Sequence, residues 1–97
     1  MNTIVECAEF SEWLRGLADV VGKARILARI TAVKSGNFGD CEPVGDGVSE
    51  MRIHHGPGYR VYFKRIGSVV YVLLCGGDKS SQKVNIKRAK ALAKKAE

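Results

Sequence analysis

The stretch that most constrains the fold is Ser68 to Cys75, SVVYVLLC, which follows Gly67 and is almost wholly apolar and rich in β-branched side chains. It is far too short to span a bilayer and too continuous for a half-exposed strand. It therefore reads as a strand covered on both faces, central to a sheet. Two strands lead up to it. From Val48 to His54 the residues alternate, with Met51 and Ile53 toward one face and Glu50, Arg52 and His54 toward the other. From Tyr59 to Lys64 the alternation repeats, with Tyr59, Val61 and Phe63 on the apolar side and Arg60, Tyr62 and Lys64 opposite. Between them His55-Gly56-Pro57-Gly58 supplies the positive and the fixed φ that a reversal needs.

Residues opposite one another in an antiparallel pair point the same way, so only two nearby registers match the apolar sets. One sets Arg52 against Arg60, a like-charge pair costing roughly 0.2–1 kcal/mol. The other sets Arg52 against Tyr62, Glu50 against Lys64 and His54 against Arg60, and charge pairing predicts this second register. Either one gathers Arg52, His54, Arg60 and Tyr62 on one patch. Alternating charge on a strand is ordinarily the solvated side of a half-buried sheet. This face, however, carries two arginines, a histidine, a tyrosine and a lysine against one acid, a composition suited to phosphate.

After the apolar run comes Gly76-Gly77-Asp78-Lys79-Ser80-Ser81-Gln82, which lacks P-loop spacing. The two glycines predict a sharp turn that delivers Lys79 near the edge of the same sheet, with Ser80 or Ser81 as N-cap of a last helix. At the other end, Thr3 to Cys7 reads as a first strand, and Ala8 to Leu17 as a helix with Phe10, Trp13, Leu14 and Leu17 as its core stripe. Asp19 caps a second helix from Val20 to about Lys34, whose apolar face is Val20, Ala24, Leu27 and Val33 with Ile26 and Ile30 alongside. Asn37 to Gly47, with three glycines, a proline and three acids, reads as a loop. Val84 to Ala96 forms the last helix, with a narrow stripe of Ile86, Ala89, Leu92 and Ala93. Lys83, Lys87, Arg88, Lys90, Lys94 and Lys95 fill its other face, so loose docking is expected. The order β-α-α-β-β-β-α predicts an α+β fold, an antiparallel sheet packed by an N-terminal helical hairpin and a C-terminal helix.

The 97 residues predict a single domain, 1–97. A net charge of +6 implies an acidic partner, and low aromatic content argues against a base-stacking platform. Cys7, Cys41 and Cys75 are far apart and lack a histidine cluster, so no metal and no cofactor is expected. The absence of a long apolar stretch predicts a cytoplasmic protein with no membrane contact.

The run GVSEMRIHHGPGYRVYF, followed by VLLCGGDKSSQ and IKRA, resembles the HigB-like "addiction module killer protein" branch of the RelE/ParE toxin superfamily, over roughly residues 10 to 93. The resemblance implies a small RelE/ParE-like fold and a type II toxin. A cognate antitoxin, expected to be a DNA-binding helix-turn-helix protein, would silence it. RelE-like members cleave messenger RNA in the ribosomal A site and thereby stop translation and growth. ParE-like members instead inhibit DNA gyrase without a catalytic site. By motif position the nuclease residues correspond to Arg52, Arg60 and Lys79. One position departs: where RelE-like enzymes place a tyrosine on the last helix, the nearest match is Asn85.

Cleaving RNA without a metal requires the 2′-OH to attack phosphorus, with a base for its proton, cations for the developing charge and an acid for the leaving oxygen. Arg60 and Arg52 suit the charge-holding role, since guanidinium is planar, always charged and bidentate toward phosphate. His54 suits proton transfer as the nearby imidazole. Lys79 assists, and Tyr62 orients the phosphate or stacks on a base. Lys64, Lys83 and Lys87 extend the RNA-binding surface. The alternatives are a gyrase inhibitor acting through the basic last helix, and a plain nucleic-acid-binding module with strongly salt-dependent affinity.

Overall fold

In a computed structural model describing residues 1–96, the apolar run becomes β5 (Val70–Gly77), in which every residue from Tyr71 onward is buried. Its neighbours are β1 (Thr3–Glu6), which runs parallel to it, and β4 (Tyr59–Ile66), which runs antiparallel. Then come β3 (Val48–Ile53) and β2 (Cys41–Gly45), giving a five-stranded sheet of order β1-β5-β4-β3-β2. The fold is α+β, as expected, but the sheet is mixed rather than antiparallel. No hairpin joins β1 to β5: both helices and the strands β2 to β4 lie between them in sequence, and a parallel pair needs such a long connection.

Those helices, α1 (Ala8–Arg15) and α2 (Val20–Lys34), cover one face of the sheet. Phe10, Ile26, Ile30 and Val33 pack there on Met51, Ile53, Tyr59, Val61, Phe63, Tyr71 and Leu73. On the other face α3 (Gln82–Lys95) presses Ala89 and Ala93 against Val48, Tyr62, Val72, Leu74 and Cys75. The small alanines let the helix lie close. Its narrow stripe is supplemented at both ends, because Gln82 Nε2 donates to Glu50 at 3.0 Å and Lys64 Nζ donates to the Ala93 carbonyl at 3.2 Å. Cations near a helix C-terminus satisfy its last carbonyls. Docking is therefore firmer than the stripe alone predicts.

Strand β2 corrects the loop reading of residues 37–47. Asp46 (φ 56°) and Gly47 (φ 76°) make a two-residue hairpin turn between Gly45 and Val48, and Pro43 is tolerated because β2 is an edge strand. The β3–β4 register is also the one that charge pairing disfavoured, with Glu50 opposite Tyr62 and Arg52 opposite Arg60. In α2 the buried residues are Gly22, Ile26, Ile30 and Val33, while Val20 and Leu27 face out.

Gly76 and Gly77 do not turn the chain. They end β5, and each makes room for a neighbour: a Cβ on Gly76 would lie 2.3 Å from the Trp13 ring, and one on Gly77 would lie 2.0 Å from Asn85 Oδ1. The reversal falls to Asp78, whose carboxylate accepts from the Ser80 amide at 2.9 Å and caps a short 3-10 turn at Lys79–Ser81. Ser81 stands at the N-cap of α3, as expected of Ser80 or Ser81, but its side chain makes no cap bond there; the capping bond at this corner comes from Asp78. Gly76→Ala is expected to cost about 1–3 kcal/mol through overpacking against Trp13, read as a lower urea midpoint with unchanged slope.

Asp19 caps α2 as predicted, accepting from the Gly22 amide at 2.9 Å and also from the Tyr59 hydroxyl at 2.9 Å. Those two bonds, the amide first, hold its carboxyl below the ordinary carboxylate value. A folded pKa below the unfolded one means stability that is present above the unfolded value and lost as pH falls through the folded one. Asp19→Asn keeps a capping side chain but removes the charge. It is expected to melt below the wild type at neutral pH and together with it in acid that protonates the carboxyl in both states.

Candidate phosphate-binding site

Helix α3 begins above Glu50, so the next cross-strand pair along the same face, Arg52 and Arg60, emerges beyond its first turn. Glu50 itself is 1% exposed. Its Oε1 accepts from Arg52 Nε at 3.2 Å and from Arg60 Nη1 at 3.1 Å, and its Oε2 from the Tyr62 hydroxyl at 2.8 Å and from Gln82. A carboxylate has about four acceptor sites, and these donors fill them. This explains the register: two arginines side by side repel weakly, but a shared buried carboxylate gives each a charge-assisted bond. Glu50 was legible only as one acid on a polar face. The available signal was that it was the sole acid among five donors.

Further acids arrive from the segment read as a loop. Arg52 Nη1 lies 3.6 Å from Asp40, and its Nη2 pairs with Glu42 on β2. Asp40 also meets His54 Nε2 at 2.6 Å, and that bond first, then the charge of Arg52, holds its carboxyl below the ordinary value. Arg52 is thereby committed to three carboxylates. His54 is 75% exposed and lines a cleft of about 350 Å³ with Arg25, Ala28, Arg29 and Ile53, on the α2 side of Asp40.

Arg60 is less committed. Only Nη1 is engaged by Glu50, and its Nε is buried with no hydrogen-bond partner among the described residues. Lys79 approaches the same strand end: its amide donates to the Pro57 carbonyl at 3.4 Å, and its Cβ lies 3.5 Å from where a Gly58 Cβ would be. Exposed Lys79 and Lys83 line a shallow depression of about 270 Å³ with Ser80, Ser81, Gln82 and Val84. Lys87 is exposed one turn farther along α3. The structure therefore brings Arg60, Lys79 and Lys83 toward one end of the sheet, and leaves His54 across Arg52 from them.

Two expected contacts are corrected. Tyr62 is fully buried, so it cannot stack on a base. Burial, then the bond to Glu50, pushes its phenol far above the ordinary value and keeps it a donor. Lys64 Nζ turns instead to the Ala93 carbonyl, at the end of α3 away from Gln82 and Arg60. Asn85, at the position compared with a tyrosine, accepts from Ser81 Oγ at 2.6 Å and packs on Gly77.

All three cysteines are free, and burial pushes the Cys75 thiol up to about 11. Among the described residues no group of three His, Cys, Asp or Glu side chains is placed to hold a metal, and no helix is long and apolar enough to cross a membrane.

Fold and site together define a small α+β protein with a cationic sheet end ordered around a buried carboxylate. The chain belongs to the phage-derived Gp49-like protein family, which it matches over residues 12–96. That is a toxin-type family of toxin–antitoxin systems, and membership implies a cognate antitoxin as partner. An uncharacterized protein of Haemophilus influenzae is 52% identical over 84 residues, covering 87% of this chain and 85% of that one. No solved structure matches.

Proposed function

We propose that the chain is the toxin of a HigB-like type II module and acts as a ribosome-dependent messenger RNA endoribonuclease. Arg60 carries this reading: its guanidinium is aimed by a buried carboxylate, and it pairs with Gly77 at the strand end from which the chain runs on to the exposed Lys79 and Lys83. Donors fixed before the reaction stabilise developing charge without reorganising. Arg60, Lys79 and Lys83 hold the phosphate across the strand end. The 2′-oxygen bonds to phosphorus as the bond to the 5′-oxygen breaks. His54, oriented by Asp40, takes the 2′-OH proton, and Lys79 gives one to the leaving 5′-oxygen, leaving a 2′,3′-cyclic phosphate and a 5′-OH. Arg52, tied to three carboxylates, positions β2 and β3 and steers the RNA rather than holding the reacting phosphate.

The test is tightly controlled expression of the chain alone, followed by primer extension on a reporter messenger RNA with and without translating ribosomes. Codon-phased cuts only during translation are expected. Growth arrest with intact RNA would transfer the reading to DNA gyrase, and the sheet end would become a solvated face.

A further inference from the structure

A solvated helix normally turns polar residues outward, as α3 does with its lysines. Helix α2 does not. At 100° per residue, Val20, Ala24, Leu27 and Thr31 fall on one outward stripe opposite the buried Ile26 and Ile30, with Ala28 and Val21 along one edge. Val20 is 79% exposed, Val21 55% and Leu27 45%. The helix is therefore apolar on both sides, a pattern proper to one buried between two partners. Lys23 and Lys34 border the stripe on one side and Arg25 on the other. At Ala28 it opens into the cleft of about 350 Å³ floored by Ile53 and walled by Arg25, Arg29 and His54. The alanines permit close helix approach, and the cleft has room for one large anchoring side chain.

We propose that this stripe, with the cleft at Ala28, docks an amphipathic helix of the cognate antitoxin that carries acidic residues along both edges of its apolar seam. Charge selects the occupant. A second copy of this chain would set the Lys23, Lys34 and Arg25 borders of two molecules, each of net charge +6, against one another. An acid-flanked helix instead pairs with every one of those borders. Because α2 covers the sheet face opposite the one bearing Arg60, the stripe lies apart from Arg60, Lys79 and Lys83; His54, which walls the cleft, is the residue the two surfaces share, and antitoxin binding to the stripe does not depend on the nuclease reading.

The test uses the full chain and its cognate antitoxin. A double variant, Val20→Glu with Leu27→Glu, places two carboxylates in the seam at exposed positions where surface substitutions are well tolerated. It is expected to weaken antitoxin binding by at least roughly 100-fold, as charges buried at an interface centre do. Val69→Glu, an equally apolar exposed site in the β4–β5 turn, is expected to change binding by less than about twofold. In the wild-type complex, hydrogen exchange is expected to slow across residues 20–31, a readout independent of how the variants fold. Undiminished affinity of the double variant, or protection elsewhere with 20–31 unchanged, would overturn the proposal. So would a dimer of the free wild-type chain that the double variant disperses, since the occupant would then be a second copy. Binding is read here without RNA cleavage, so this proposal and the nuclease reading fail separately.

Discussion

Glu50→Ala is expected to cost about 3–5 kcal/mol, the usual penalty for removing one member of a buried ion pair. The carboxylate is 1% exposed and is the common acceptor for Arg52, Arg60, Tyr62 and Gln82, which come from β3, β4 and the start of α3. Without it the Arg60 guanidinium, whose side chain is only 13% exposed, keeps its charge with no counter-ion at that point. The Tyr62 hydroxyl, buried with no water access, loses its acceptor. Small domains have total stabilities of about 5–15 kcal/mol, so the variant is expected to be largely unfolded at growth temperature. Urea unfolding followed by circular dichroism measures it. Glu50→Gln keeps the volume and one acceptor oxygen and should lose less. A Glu50→Ala protein within about 1 kcal/mol of wild type would show that the network is not what holds these strands in register.

Arg60→Ala is expected to reduce messenger RNA cleavage by roughly 10²–10³-fold, the scale of losing one preorganised donor to developing charge. Growth arrest should vanish with it. Glu50 retains Arg52, Tyr62 and Gln82, so the protein should stay folded and still bind antitoxin through a face the substitution does not touch. Arg60→Lys restores the charge but not the planar fork, and should recover only part of the rate. Arg52→Ala is expected to lose less than Arg60→Ala, since Asp40, Glu42 and Glu50 already occupy its guanidinium. Full toxicity of a folded Arg60→Ala protein would remove the catalytic assignment.

Much of this arrangement was legible in residue order. Alternation assigned Met51, Ile53, Tyr59, Val61 and Phe63 to one core face, and the continuous run from Val69 identified a strand buried on both sides. Asp19 announced the start of α2 because a cap is a local interaction between neighbouring residues. Long-range contacts were harder to read. Charge pairing alone points to the wrong register, because a pairwise rule compares Arg52 with Arg60 and cannot include Glu50 as a third member. Strand β2 was hidden by its glycines and proline, although Asp46-Gly47 is the strongest short hairpin signal a sequence offers. Gly76 and Gly77 suggest a turn in sequence but serve close approach, and only the distant Trp13 and Asn85 reveal that. On α2 two apolar stripes compete in one helix, and nothing local decides which of them meets the sheet.

The central claim is that the cationic sheet end cuts RNA. The most direct measurement is to add the purified chain to a translating extract and determine the ends of a reporter messenger RNA. A codon-phased cut leaving a 2′,3′-cyclic phosphate and a 5′-OH, present with the wild type and lost with Arg60→Ala, is the predicted result. Intact messenger RNA in an extract whose translation or DNA topology the chain nevertheless disturbs would contradict it.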